Sequence, residues 1–180
     1  MRYFLFILII IFFSGCGRQK SDRLITKKIQ YDVNIKSPDP EWDWWIQNIV
    51  GPDREKLVDI IMDGALKGKF QAYDYFGDSL TPAQVKSMLS DTFYLSYKRE
   101  EPPYETFDTA VIFKINRNDI LRIRFMEEWR INPETMEFHK KVLGIGPVAR
   151  RVDMHGTERW QPLFWISTDK EFLKSFGKEY

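Results

Sequence analysis

The amino-acid sequence predicts an α+β domain in which N-terminal helices pack with a mainly antiparallel β-sheet that contains a long hairpin, followed by a short C-terminal helix. Two observations predict this fold class. Apolar residues in the first half recur at helical spacing behind two helix-start signals, Asp39-Pro40 and Thr81-Pro82. After Thr92 the apolar residues alternate with polar ones instead, which is typical of half-buried strands.

The helices are predicted from these start signals and from the spacing of apolar residues. They run from Asp39 to Val50, from Asp53 to Lys67, over residues 81–89, and onward from a capping box at Thr168 to Glu171. In the second helix, Ile60 and Ile61 are expected to face the core, and Gly68 is the expected C-cap.

The strands are predicted from alternation of period two. They run from Thr92 to Tyr97, from Thr109 to Arg117, along a hairpin from Ile120 to Pro147, from Val148 to Asp153, and from Pro162 to Ser167. The hairpin has the clearest pattern, because its first arm places most apolar side chains on one face and most charged ones on the other.

The register of the hairpin follows from its turn, residues 132–135, where Asn and Pro favour a tight loop. With that loop, Trp129 lies opposite Phe138, and Glu127 lies opposite Lys140. Apolar residues then pair with apolar ones and opposite charges face each other, as cross-strand pairs prefer. We therefore expect Glu127 and Lys140 to form a structural ion pair.

The N-terminus predicts export and lipid attachment. Phe4 to Phe13 is an apolar run shorter than the roughly 20 residues of a membrane span, which is typical of a secretory signal peptide. The Ser-Gly that precedes Cys16 resembles the lipobox of bacterial lipoproteins, in which the cysteine is lipidated and becomes the new N-terminus. We expect a signal peptide over residues 1–15, a lipidated Cys16 carrying palmitate or a similar acyl chain, a flexible tether over residues 16–37, and a single domain over residues 38–180. A short strand from Ile29 to Val33 is the alternative for the end of the tether.

The charge balance argues against nucleic acid as a partner. The full chain has 27 basic and 26 acidic side chains. Removal of the signal peptide takes away Arg2 and no acid, so the mature chain has equal numbers of both. Nucleic-acid-binding domains carry a clear basic excess. The membrane, reached through the N-terminal lipid, and other envelope proteins are the expected partners.

Few residues are arranged for catalysis. His139 and His155 have no second ligand at the spacing that metal sites require, and no glycine-rich phosphate loop or nucleophile elbow is present. Glu127 is the one acid on the apolar face of its strand, which is a feature of some functional sites. We expect no enzyme, no metal and no cofactor; a hydrolase built on Glu127 or His139 is the weaker alternative.

Two surfaces are candidates for binding partner proteins. Arg122, Arg124 and Arg130 share one face of the first hairpin arm, and Trp44 follows a helix start beside two further tryptophans, Trp42 and Trp45. A solvated strand face is the alternative for the arginines. A stacking platform for a glycan is the alternative for the tryptophans, although Trp42 and Trp45 fall on the apolar stripe of their helix.

Several segments together resemble the GldN/PorN family, envelope components of the gliding-motility and type IX secretion apparatus of Bacteroidetes. They are Ala65 to Asp74, Leu80 to Pro82, Glu127 to Trp129, Val142 to Pro147 and Pro162 to Ile166. The resemblance implies a non-enzymatic periplasmic protein that assembles with a lipoprotein partner into a ring-like complex below the outer membrane.

The expected function is therefore that of a lipid-anchored structural subunit of the cell envelope, attached to the outer membrane and facing the periplasm. Family members usually have an ordinary cleaved signal, whereas this chain has Cys16 at the end of its apolar run. A stand-alone lipoprotein that binds a glycan or a peptide is the alternative function. A homo-oligomer is compatible with either function.

Overall fold

The computed structural model describes residues 22–37, 39–43, 51–152 and 157–178. Its helices are α1 (Pro40–Asp43), α2 (Gly51–Leu66) and α3 (Pro82–Met88), with 3₁₀ turns at Arg117–Asp119 and Leu173–Phe176. Its strands are β1 (Arg23–Asn34), β2 (Ala72–Tyr73), β3 (Ser79–Leu80), β4 (Ser90–Lys98), β5 (Thr106–Lys114), β6 (Ile120–Ile131), β7 (Phe138–Val152), β8 (Glu158–Pro162) and β9 (Trp165–Ser167). This is broadly the α+β class that the sequence predicts.

Most of the described strands form one antiparallel sheet around β6. The strand order is β1-β6-β7-β9-β2-β3, and β8 pairs with a further part of β7. Strands β4 and β5 form a separate two-stranded sheet, whereas the sequence prediction did not separate them from the main one.

Strands β6 and β7 form the predicted hairpin with a different register. The loop covers residues 132–137, so Ile131 lies opposite Phe138, and Trp129 lies opposite Lys140. The predicted register was therefore wrong by two residues from Ile131 to Glu127, and by three beyond the register shift between Met126 and Glu127. Because side chains alternate with period two, a shift of two leaves the side chains near the loop on their predicted faces, whereas the β-bulge interrupts the alternation.

The expected tether is shorter than predicted, because Arg23–Asn34 is strand β1. It pairs antiparallel with β6 from Arg23 opposite Ile131 to Asn34 opposite Arg122. Register shifts on either side of Thr26 break its alternation. The short strand Ile29 to Val33 that the sequence offered as an alternative lies within β1, but the part before Ile29 was not predicted, since β-bulges interrupt the period-two repeat.

Helix α2 covers one face of the sheet. Its buried residues Val58, Ile61, Met62 and Ala65 belong to the main core cluster together with residues of β6, β7 and β9. Ile61 is buried as predicted, but Ile60 is 49% exposed, so that part of the prediction was wrong. Gly68 has a φ of +68°, the left-handed conformation expected of a C-cap glycine.

Helix α3 begins as its sequence predicts. The Thr81 side chain accepts from the Gln84 backbone N–H, and the Gln84 side chain accepts from the Thr81 backbone N–H. The first predicted helix is described only as α1, and residues 44–50 lie outside the described residues.

The C-terminal segment covers the other face of the sheet and is not the predicted α-helix. It contains the 3₁₀ turn Leu173–Phe176, and the carboxylate of Asp169, not the Thr168 side chain, accepts from the Glu171 backbone N–H. The Thr168 hydroxyl donates to the Val142 carbonyl instead. Phe172 is buried in a second cluster with Met126, Leu143 and Trp165.

The contact between β7 and the chain before β9 requires glycine. A Cβ atom on Gly146 would lie 2.5 Å from the Phe164 carbonyl oxygen, closer than real Cβ contacts allow. The backbone N–H of Leu163 donates to the Pro147 carbonyl at 3.0 Å beside this point. The two segments can approach this closely only without a side chain at position 146.

Gly146→Ala is expected to lower the free energy of unfolding by about 1–3 kcal/mol, because the added methyl group must displace a backbone carbonyl. Urea unfolding of the two proteins measures the difference. Ala110→Ser adds one heavy atom at an exposed strand position and is the matched control. Equal midpoints for Gly146→Ala and wild type would show that the contact is not tight.

Candidate protein-interaction surfaces

Glu127 is a buried acid that holds two neighbouring side chains. The residue is only 4% exposed. Its carboxylate accepts one hydrogen bond from the Tyr31 hydroxyl, 2.9 Å to Oε1, and one from Trp129 Nε1, 2.7 Å to Oε2. Buried carboxylates need such donors to offset the loss of water. Glu127 thereby links β1 to β6.

The observed register explains why Glu127 does not have the predicted partner. Val142 lies opposite Glu127, and Lys140 lies opposite Trp129, with its Nζ 4.9 Å from the centroid of a Trp129 ring. The Glu127 carboxylate is held by a phenol and an indole in place of the expected ammonium group.

The buried site changes the pKa of Tyr31. Burial raises the pKa of the Tyr31 hydroxyl, and its hydrogen bond to Glu127 and the negative charge of that residue raise it further. A phenol with a raised pKa remains a proton donor at neutral pH, which suits a structural hydrogen bond. The ring also stacks on Phe125, with centroids 5.9 Å apart.

The three arginines of the predicted partner surface have different environments. Arg124 forms two hydrogen bonds to Asp32, Nε to Oδ1 at 2.6 Å and one terminal nitrogen to Oδ2 at 3.0 Å. This pairing raises the pKa of Arg124, which remains charged. The side chains of the pair are only 23% and 20% exposed, so Arg124 connects β6 to β1 rather than presenting a free charge.

Arg122 and Arg130 complete that face of β6. The Arg122 guanidinium lies 3.5 Å from the centroid of a Trp160 ring, a cation–π contact with β8. Arg130 binds Glu128 through Nε at 2.7 Å, and its side chain is 45% exposed. Of the three arginines, Arg130 is the one with an exposed side chain. Partners on β1 and β8 occupy the other two, and the sequence pattern did not reveal those strands as neighbours.

Other predicted residues are placed as follows. His139 Nε2 lies 3.6 Å from Asp22 Oδ2, and the histidine side chain is 55% exposed. Cys16, Trp44 and His155 lie outside the described residues. Within the part of the chain that the structure describes, no three His, Cys, Asp or Glu side chains are grouped as a metal site requires.

Two surface cavities are lined by described residues. The larger, of about 540 Å³, lies along α2 and contains Glu55, Lys56 and Asp59 among its lining residues. The smaller, of about 250 Å³, is lined by Arg124 and Trp165 among others. Neither is lined by Trp42 or Trp160, the aromatic residues that a glycan platform would use.

Strands β4 and β5 form an arm with exposed apolar side chains on both faces. Tyr94 is 78% exposed and Ile112 is 58% exposed on one face, while Tyr97 is 48% exposed and Phe107 is 45% exposed on the other. Exposed apolar residues grouped in this way are typical of protein-interaction sites.

The arm is attached to the body at one end. The backbone N–H of Ile115 donates to the Leu89 carbonyl at 2.8 Å at its base, and both side chains pack against the main core. Among the described strands, β4 pairs only with β5, so each has an outer edge without a ladder partner. A two-stranded sheet with free edges is marginal in water by itself. The sequence signal for this arm is the pair Tyr94 and Ile112, apolar residues on a face that otherwise carries Ser96, Lys98 and Asp108.

The segments that resemble the GldN/PorN family meet in one region of the sheet. Ile145 of β7 lies opposite Ile166 of β9, Ile166 lies opposite Ala72 of β2, and Ala72 lies opposite Leu80 of β3. The matched residues therefore position neighbouring strands of the sheet.

A comparison with protein families agrees with this resemblance. The family model for GldN, gliding motility associated protein GldN, matches residues 20–169, which is most of the 180-residue chain. The chain belongs to the GldN family. Membership indicates a gliding-motility associated component of the cell envelope that works with protein partners. No curated protein matches the chain. Among the described helices of this GldN-family chain, none has the length and apolar composition needed to cross a membrane.

Tyr31→Phe is expected to lower the free energy of unfolding by about 2 kcal/mol, because it removes one of the two hydrogen bonds to the buried Glu127 carboxylate. Trp129 Nε1 then remains as the donor. Chemical unfolding measures the loss. The matched control is Tyr94→Phe, which removes a hydroxyl from a side chain that is 78% exposed and should leave stability unchanged. If both variants unfold like the wild type, the Tyr31–Glu127 bond does not stabilise the fold.

Proposed function

We propose that this chain is a non-enzymatic, lipid-anchored envelope protein that acts through protein–protein contacts in the gliding-motility and type IX secretion assembly. Membership of the GldN family supports a role in gliding motility. The finer role, a structural subunit of a ring complex, agrees with the use of Glu127 and of two of the three predicted arginines to join strands. These side chains bind residues of neighbouring strands within the same domain.

Lipid attachment at Cys16 is the proposed means of anchoring. The apolar run Phe4 to Phe13 and the small residues before Cys16 support a lipoprotein signal. Each buried CH₂ of an acyl chain contributes about 0.8 kcal/mol to membrane attachment, so two or three chains hold a protein firmly. The proposed location is the outer membrane, with the domain facing the periplasm.

The β4–β5 arm is the proposed site of contact with another envelope protein of the assembly. The observation that carries this proposal is the exposure of Tyr94 and Ile112 on a two-stranded sheet whose outer edges are unpaired among the described strands. A partner that adds a strand to either edge would satisfy the edge backbone groups and cover the aromatic side chains together. Tyrosine is also enriched among the residues that dominate binding energy at interfaces.

The double variant Tyr94→Ser, Ile112→Thr is expected to lose the partner while the domain stays folded, because both side chains are exposed and the Tyr97–Phe107 ring contact of the arm remains. Crosslinking in native membranes followed by purification of the chain measures the partner. The wild type should be recovered in a large complex of defined composition, and the variant should be recovered alone.

Phe76→Ser is the matched control, since Phe76 is an aromatic residue with 70% exposure that lies outside the arm. This variant should keep the complex. Recovery of the wild type as a solitary monomer would contradict the assembly role itself. Retention of the complex by the arm variant would place the contact elsewhere on the chain.

A further inference from the structure

The loop of the β6–β7 hairpin lies beside the start of the described chain. Arg23 pairs with Ile131 at the loop end of β6, and Asp22 lies 3.6 Å from His139. Residues 17–22 separate this point from Cys16, and an extended chain of that length spans about 20 Å at most. An acyl chain on Cys16 therefore keeps this end of the sheet close to the lipid surface.

This end of the sheet carries exposed apolar side chains. Met136 in the hairpin loop is 70% exposed, Phe138 is 45% exposed, and Ile25 of β1 is 53% exposed. We call these three residues the apolar tip. Single exposed apolar residues are ordinary on soluble proteins, but three lie at the end nearest the proposed anchor, and exposed apolar side chains are what an interfacial contact with lipid requires.

Met136 also has an unusual backbone conformation. Its φ of +60° lies in the left-handed region that favours Gly and Asn. Its backbone N–H donates to the Asn132 carbonyl at 2.9 Å, so the conformation belongs to an ordered loop. A large apolar side chain at a strained, exposed position has no packing role that would explain it.

The charges around the apolar tip favour an anionic surface. Arg23, Lys27 and Lys140 have exposed side chains on the strands that flank the loop. Residues 17–21 add Arg18 and Lys20 without an acid. The acids at this end are Glu134 and Glu137 in the loop and Asp22 before β1, which are fewer than these five basic residues, so the attraction to anionic lipid comes from the flanking strands and the linker.

We infer that the apolar tip inserts into the interfacial region of an anionic phospholipid membrane and fixes the orientation of the domain on it. This inference rests on the proposed lipid anchor at Cys16. The acyl chains retain the protein, and the tip gives a second contact that prevents free rotation about the linker. Because the arm is attached at the opposite end of β6, beside Ile120, this orientation directs its base away from the lipid.

The test uses the full lipidated chain in vesicles of phosphatidylethanolamine and phosphatidylglycerol. Cys16 is the only cysteine, and lipidation blocks its thiol, so Met136→Cys provides a single site for an environment-sensitive fluorophore. The emission of this label should shift to the blue and be quenched by lipids brominated on their acyl chains. Tyr94→Cys, on the arm, is the matched control and should show neither effect. Thermal unfolding of both variants verifies that they fold like the wild type.

Vesicle flotation, measured together with quenching, distinguishes a failure of the tip contact from a failure of the lipid anchor. Flotation with quenching at position 136 and none at position 94 supports the inference. Flotation without quenching at position 136 overturns the tip contact and leaves the anchor intact. Absence of flotation overturns both the anchor and the tip contact. Equal quenching at positions 136 and 94 overturns the orientation, because the domain would then contact lipid in no fixed pose.

Discussion

The structure depends on the pairing of β6 with a neighbouring strand along each of its edges. Strand β1 pairs with one edge from Arg23 to Asn34, and β7 pairs with the other from Phe138 to Ala149, with register shifts in both ladders. Between these shifts the backbone groups of β6 are satisfied on both sides, so its side chains decide what each face of the sheet can bury. One face receives α2, and the other receives the C-terminal segment through Met126. Glu127 and Arg124 then bind residues of β1, which makes the outer strand part of the domain rather than a loose edge.

The sequence predicted correctly those features that depend only on neighbouring residues. The capping box of Thr81 and Gln84 formed, and Gly68 adopted the left-handed conformation expected after a helix, because each depends on a few neighbouring residues. The faces of β6 near the hairpin loop were also predictable, since alternation survives a register shift of two. The loop length was not, because Asn132 accepts from the backbone N–H groups of Glu134 and Thr135 and organises a longer turn than a four-residue reading allows.

The failures in the candidate sites have a common cause. Each depended on which distant segments become neighbours. Arg124 was expected to be free because the pairing of Asp32 with β6 was not predicted. Glu127 was expected to bind Lys140 because the approach of Tyr31 from the same segment was not predicted either. In the C-terminal segment, Asp169 accepts from the Glu171 backbone N–H as a capping residue does. The Leu143 carbonyl, however, accepts from the backbone N–H groups of Thr168 and Asp169 and so holds the segment against β7. Non-local pairing of this kind leaves little trace in a single sequence.

The length of β6 gives the two proposed surfaces a geometric relation. Twelve residues in a strand cover about 40 Å. The hairpin loop and the start of β1 lie at one end of that length, and the base of the β4–β5 arm lies at the other. The proposed lipid on Cys16 would act on the first end only, because the linker is too short to reach the second. The proposed contact at the apolar tip would therefore convert an anchor that only retains the protein into one that sets the direction in which its arm meets a partner. Assembly with partner proteins and attachment through a lipid would both require a fixed orientation of the domain, which a strand paired on both edges can maintain.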